Sequence, residues 1–281
     1  MSEVSSAEPR RLREEYAYGI LLRVAYDGSR YSGLAIQSNA HTIAGELQRA
    51  IRTMASDASS IKVCSRTDAG VHARGQYVVF ETNIAIGMRG WVLGLGGLLP
   101  PDIAVLSAAR VKPGLEISKS ARQKTYRYSV LQGTIRDPFH ESRSWRVFDR
   151  LNHERMRAEA QTLLGTHDFR AFRGSADFRT NTVRTIVDTK VELAAHHARL
   201  LDITVTGNAF LFNMVRIIAG TLVDVGRGKL EQGAFLRAIE SGDRLALGMT
   251  APAAGLFLER IDLNVDFEDE WPYHLDGAPV T

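Results

Sequence analysis

Asp68 is the carboxylate that the surrounding sequence prepares for chemistry. It stands in the run Cys64-Ser65-Arg66-Thr67-Asp68-Ala69-Gly70-Val71-His72-Ala73, between two stretches patterned as strands, 61–65 and 76–82. An acid and a base are thereby held at the tip of a strand–loop–strand unit. Ala69 and Gly70 let the chain turn tightly and admit another backbone close by. Arg66 lies two residues before Asp68, so an extended entry puts both side chains on one side. Such a loop suits a carboxylate that must stay charged beside a polyanion. An isolated D-x-G would be read instead as an Asx turn.

Two further groups stand out. In Thr125-Tyr126-Arg127-Tyr128-Ser129-Val130, strand alternation sets Tyr126, Tyr128 and Val130 on one face and Arg127 on the other. Core packing with hydroxyls at the rim accounts for the tyrosines equally simply. In 208–220, Phe210, Leu211, Phe212, Met214, Val215, Ile217 and Ile218 leave almost no polar side, which predicts a buried helix carrying Arg216. A buried guanidinium costs several kcal/mol, on the order of 3–5, if its partner is missing, so a carboxylate partner is expected. The stretch 166–173 interleaves His167, Phe169, Arg170, Phe172 and Arg173. It either stacks bases and grips phosphate or turns both rings inward.

Other chemistries find little support. The chain has no C-x-x-C, no H-E-x-x-H and no acidic cluster at ligand spacing, so no metal is expected. Gly226-Arg227-Gly228-Lys229 lacks phosphate-loop spacing, and Gly94-Leu95-Gly96-Gly97 lacks the third glycine of a dinucleotide fingerprint. His196-His197 reads as a solvated turn. No cofactor is expected. The 281 residues suffice for a large core, 44% being hydrophobic and 24% charged, with a net charge of only +3. That charge alone announces no nucleic acid. Arg outnumbers Lys, which favours bidentate phosphate contacts but also follows from GC-rich coding. The single cysteine suits a reducing compartment; no apolar run approaches a membrane span, and no secretion pattern opens the chain. A cytoplasmic protein is expected.

The elements that must position these groups follow in order. Strand 18–26, helix 42–54, strands 61–65 and 76–82, helix 91–98 and strand 104–111 give the split βαβ order of ferredoxin-like units. Pro113-Gly114 marks a joint. Beyond it come strand 124–131, a helix over 152–164 capped by Asn152, a hairpin over 184–193 and 199–206, helices 209–225 and 232–241, and a closing strand 255–263. The expected division is a disordered arm over 1–15, halves over 16–112 and 113–266, and a tail over 267–281.

SRTDAGVHA resembles the signature of the TruA-type tRNA pseudouridine synthases. K-T-Y-R-Y around Tyr126 and N-x-M-V-R ending at Arg216 resemble that family's second and third motifs, in family order, over most of the chain. The resemblance implies an α+β fold: two ferredoxin-like α/β halves joined in one continuous mixed, mostly antiparallel sheet, with helices on one side and a central cleft. It implies that Asp68 is the catalytic carboxylate, paired with Arg216, and that Tyr126 lies at the active site. Arg66 fills the space left by an extruded uridine, and Thr67 and His72 of the same run sit on the substrate side. Leu256, in a stretch similar to the family's closing G-L-Y-L, packs near the base. Arg170 and Arg173, in a segment similar to H-D-F-x-x-F, are candidate RNA contacts. The activity implied is isomerisation of uridine to pseudouridine in the anticodon stem-loop of tRNA (positions 38–40), by a homodimer. The sequence departs from the family pattern at Gly33-Leu34-Ala35-Ile36-Gln37 and at Leu115–Lys119, numbered 33–37 and 115–119. A synthase acting on another RNA or nucleotide, or an RNA-binding protein without turnover, are the alternatives.

Overall fold

The computed structural model describes residues 16–272. The arm expected over 1–15 and the last nine positions of the expected tail lie outside them. The first half runs β1 (Tyr18–Tyr26), α1 (Ile43–Met54), β2 (Lys62–Val63), β3 (His72–Thr82), α2 (Met88–Leu98) and β4 (Ile103–Val111). The second runs β5 (Ala121–Gln132), β6 (Trp145–Val147), α3 (His153–Gln161), β7 (Gly165–Asp168), β8 (Val183–Leu193), β9 (Leu200–Gly207), α4 (Met214–Gly226), α5 (Ala234–Ser241) and β10 (Leu256–Leu263). A final strand, β11 (Glu268–Pro272), lies within the stretch expected as tail and pairs antiparallel with β4.

Caps fix the helix starts. Thr42 Oγ1 accepts the Gly45 amide at 3.2 Å, and Asn152 Oδ1 accepts the Arg155 amide at 3.0 Å. On α1, Ile43, Ala44, Leu47, Ala50 and Ile51 form the buried stripe that its spacing predicts. α1 and α2 pack on each other, as do α3 and α4. Phe80 meets Trp91 edge-on at 5.0 Å in the first core; Phe169, Phe172 and Phe235 make an aromatic chain in the second.

The strands form one sheet in the order β11-β4-β1-β3-β10-β5-β9-β8-β7, with β2 on β3 and β6 on β5. Pairing is antiparallel except for β10 with β3 and β5 with β6. The first half contributes β4-β1-β3-β2 and the second β10-β5-β9-β8, so the same ferredoxin-like order occurs twice in tandem. The seam is short: Phe257 pairs with His72 and Leu258 with Ala73. Farther along the same edge, Val78 and Val79 of β3 pair with β2. The run carrying Asp68 therefore connects β2 to the seam.

Three expected helices start elsewhere, α2 three residues early at Met88 rather than 91. The apolar run from 209 becomes helical only at Met214, because Asn213 adopts a left-handed conformation (φ 62°). Phe210, Leu211 and Phe212 instead form a non-helical connection that ends in a turn, and the Phe212 amide and carbonyl bond Asp177 and Gly174. α5 begins at Ala234, after Gly233 (φ 83°).

Candidate active site

The loop before β3 is held by the segment that follows β1. The Leu34 amide donates to Thr67 O at 3.1 Å, and the Tyr26 hydroxyl lies 2.7 Å from Thr67 Oγ1. Gly33 has φ +98°, and a Cβ there would stand 3.0 Å from Thr67 O, so its lack of a side chain lets the two segments close. On the other flank, Gln76 is fully buried and clamps both backbone groups of Ser65. The Val71 amide closes a turn on Asp68 O. Asp68 thus sits on a braced loop, with its carboxylate half-buried and accepting no hydrogen bond among the described residues.

That carboxylate faces a cleft of about 690 Å³ at the junction of the halves, within the roughly 300–1,000 Å³ typical of ligand sites. Arg66, Tyr126 and Leu256 share the cleft with it. Burial pushes the Asp68 carboxyl above its ordinary value, and the positive field of Arg216 opposes the shift. The expected direct ion pair is not formed. Arg216 Nε donates to Ala251 O at 2.7 Å and its Nη1 to Asn213 Oδ1 at 2.8 Å, so it acts on Asp68 through space. The arm is only half-buried, not buried as its helix pattern suggested, and neutral acceptors satisfy it, so no carboxylate is needed in contact.

The setting of Arg216 comes from a close approach. A Cβ on Gly220 would lie 1.8 Å from Met249 O, so only glycine lets the 249–251 loop lie against α4. There the Ala251 amide donates to Arg216 O at 3.1 Å, and the Gly248 amide to Thr221 Oγ1 at 2.9 Å.

Tyr126 is 7% exposed, edge-on to Phe210 at 5.1 Å, with its hydroxyl 3.3 Å from Ser65 Oγ. Burial drives its phenol up to about 12. Lys124, on the same strand face, donates to Ser65 Oγ at 3.2 Å, and burial lowers its ammonium. Arg127 points the opposite way, as alternation requires, and bonds Glu259 and Asp202. Arg66 is exposed at the cleft and makes no hydrogen bond or ion pair among the described residues. Thr67 lines the cleft with its hydroxyl committed to Tyr26.

Three expected substrate contacts lie elsewhere. His72 is 1% exposed, stacked on Phe257 at 4.5 Å. Its Nδ1 accepts the Gly28 amide and its Nε2 donates to Ala254 O, so it ties the seam together. Strand parity turns it into the core. Arg170 pairs with Asp168 and lies over Gly242, and Arg173 donates to Arg179 O to brace the 173–181 loop. Neither lines the cleft, because Phe169 and Phe172 between them are fully buried and set the orientation of the segment.

A tRNA pseudouridine synthase family profile matches residues 160–264. The chain is 38% identical over 242 residues to tRNA pseudouridine synthase A of Thermoanaerobacter sp. (strain X514), covering 86% of this chain and 98% of that protein. It is 39% identical over 259 residues to the protein of the same name from Myxococcus xanthus, covering 92% and 93%. The chain belongs to the tRNA pseudouridine synthase A family. A solved structure described as "Crystal Structure of a Cbf5-Nop10-Gar1 Complex" aligns with 9% identity and a TM-score of 0.38, over 85% of this chain and 48% of that one.

Within this family member, Lys124, Phe178, Arg179 and the 210–213 connection also line the cleft. Lys124 was legible through its even spacing from Tyr126; the others come from loops without periodicity. Among the described residues, one metal-type cluster converges: Asp137, His140 and His197, with ligand atoms within 4.8 Å of one another. His197 Nδ1 accepts the Arg199 amide, which leaves the proton on Nε2, donated to Asp137 at 2.9 Å. Of the expected solvated turn, His196 is exposed as expected, whereas His197 is part-buried and hydrogen-bonded. No described helix is long and apolar enough to cross a membrane.

Proposed function

We propose that this chain isomerises uridine to pseudouridine in tRNA, at positions 38–40 of the anticodon stem-loop, with Asp68 acting at the ribose of a flipped-out uridine. The observation that carries the reading is the Asp68 carboxylate: half-buried, free of hydrogen bonds among the described residues, open to the cleft and within the field of Arg216. In the reaction the bond from C1′ to N1 breaks, the base turns, and C1′ joins C5. The C5 proton leaves and N1 gains one, so atoms and oxidation level are conserved and no redox cofactor or metal is required. An anionic oxygen at the ribose serves either covalent capture or removal of a nearby proton.

The protein's share is positional. Extruding a base costs a few kcal/mol, roughly 2–4, and the unengaged Arg66 side chain is placed to occupy the gap. Tyr126 and Leu256 wall the space for the detached uracil. Arg216 keeps Asp68 ionisable without touching it, which leaves both carboxylate oxygens available. The family resemblance supports a cytoplasmic homodimer in which residues 16–112 and 113–266 are the two halves of each subunit.

The test is incubation with unmodified tRNA and mapping of pseudouridine by carbodiimide primer extension. Product at 38–40 is expected. Product at other positions replaces the substrate assignment, and binding without product replaces an enzyme with an RNA-binding protein. Asp68→Asn is expected to abolish product and keep tRNA affinity; equal loss of both makes Asp68 a folding residue.

A further inference from the structure

Phe178 is 88% exposed, yet it lines the catalytic cleft. Single exposed apolar residues are ordinary on a protein surface. This one differs in how it is held. Its predecessor Asp177 is buried, with Oδ2 accepting the Phe212 amide at 2.8 Å and Oδ1 accepting the Arg179 amide at 3.1 Å. Arg179 reaches back to Phe210 O at 3.0 Å, and Arg173 holds Arg179 O at 3.1 Å. At the root of the loop, the Gly174 amide donates to Phe212 O, and a Cβ on Gly174 would stand 2.7 Å from the Phe212 ring. Asp177, Arg179 and Gly174 thus tie the loop to the 210–212 wall, while the Phe178 ring itself stays exposed at the cleft.

An unpacked aromatic ring on a braced loop, next in sequence to Arg179 and in the same cleft as a half-buried carboxylate, has the character of a stacking platform. Aromatic faces take any base, and a neighbouring arginine suits the phosphate of the same nucleotide. Taking the function proposed above as given, we infer that Phe178 is a positioning residue that stacks on a base flanking the target uridine. It holds the strand at the cleft while the target turns toward Asp68. It takes no part in bond making, so its contribution belongs to substrate binding and is spent before the chemical step.

The experiment compares Phe178→Ala, Phe178→Leu and Phe178→Trp by steady-state kinetics on unmodified tRNA. Ala and Leu are expected to raise KM about 5- to 150-fold with kcat nearly unchanged, the span that one base on one aromatic ring is worth. Trp is expected to keep KM near wild type, because it offers a larger flat face, whereas Leu offers only apolar bulk. Placed in the Asp68→Asn background, Trp at 178 should also lose fluorescence on adding tRNA, read as the difference from Asp68→Asn alone. Active wild-type enzyme with an Ala variant of unchanged KM overturns the inference, as does Leu performing as well as Trp. Wild-type protein that neither binds nor modifies tRNA overturns the proposed function, and this inference with it.

Discussion

Replacing Gly220 by Ala sets two effects of opposite sign against each other. Gly220 lies inside α4, where alanine is favoured over glycine by about 0.8–1.0 kcal/mol, so helix propensity alone predicts a more stable protein. The new Cβ would however stand 1.8 Å from Met249 O and 2.9 Å from Met249 C, both backbone atoms that must retreat by more than an ångström. Three hydrogen bonds depend on that contact: Ala251 amide to Arg216 O, Arg216 Nε to Ala251 O, and Gly248 amide to Thr221 Oγ1. Two neutral bonds at about 0.5–1.5 kcal/mol and one charged bond at about 1.5–3 kcal/mol outweigh the propensity gain. The net expectation is a loss of about 2–5 kcal/mol, read as a lower urea midpoint at unchanged slope. Activity should fall further than stability accounts for, since Arg216 loses its anchor and Asp68 loses part of the opposing field. Gly96→Ala on α2, with nothing within 4 Å of its Cβ position, is the control and should gain up to about 1 kcal/mol. A Gly220→Ala protein as stable as wild type would refute the close-approach reasoning.

Asp68 carries a carboxyl raised by burial in the folded state, so the fold binds its proton more readily than the unfolded chain does. Its contribution is therefore unfavourable at neutral pH and vanishes below the unfolded value; Asp68→Asn should raise stability at pH 7, with the gain shrinking in acid. On the proposed role of Asp68 as an ionised carboxylate, kcat should fall as pH drops toward that raised value, and Arg216→Met should move this acid limb to higher pH; an unmoved limb would remove Arg216 from the electrostatics of the site. His72→Phe keeps the stacking on Phe257 but strands the Gly28 amide and Ala254 O, at about 1–3 kcal/mol each. Urea unfolding should show that loss while KM for tRNA stays put; a changed KM at full stability would return His72 to the RNA.

Strand alternation and helix spacing carried most of the architecture. β1, α1, β4 and the β8–β9 hairpin lie within a residue or so of where periodicity puts them. The run from Cys64 to Ala73 pointed to Asp68 through its resemblance to a family signature, whereas its D-x-G alone reads as an Asx turn. Periodicity failed where the hydrophobic content was uniform. From Ala209 to Val225 nothing marks a boundary except Asn213, a residue whose side chain tolerates positive φ. His72 was misplaced because its neighbours in the signature face the cleft, while parity in β3 sends it inward. Arg170 and Arg173 lie away from the cleft because the buried Phe169 and Phe172 beside them, not the charges, decide how that segment lies. The partner of Arg216 was sought among carboxylates, whereas the side-chain amide of nearby Asn213 and the Ala251 carbonyl, brought by a distant loop, satisfy it. Such contacts arise only once α4 and the 249–251 loop meet.

Asn213 occupies a position with very narrow tolerance. Its backbone admits glycine, asparagine or aspartate at little strain, and most other side chains only at a cost. Glycine would relieve the strain and abandon Arg216 Nη1. Aspartate would hold that nitrogen more tightly, and in doing so would neutralise the guanidinium and withdraw its influence from Asp68. Only an uncharged acceptor at this bend fixes the arginine and leaves its positive field uncompensated toward Asp68.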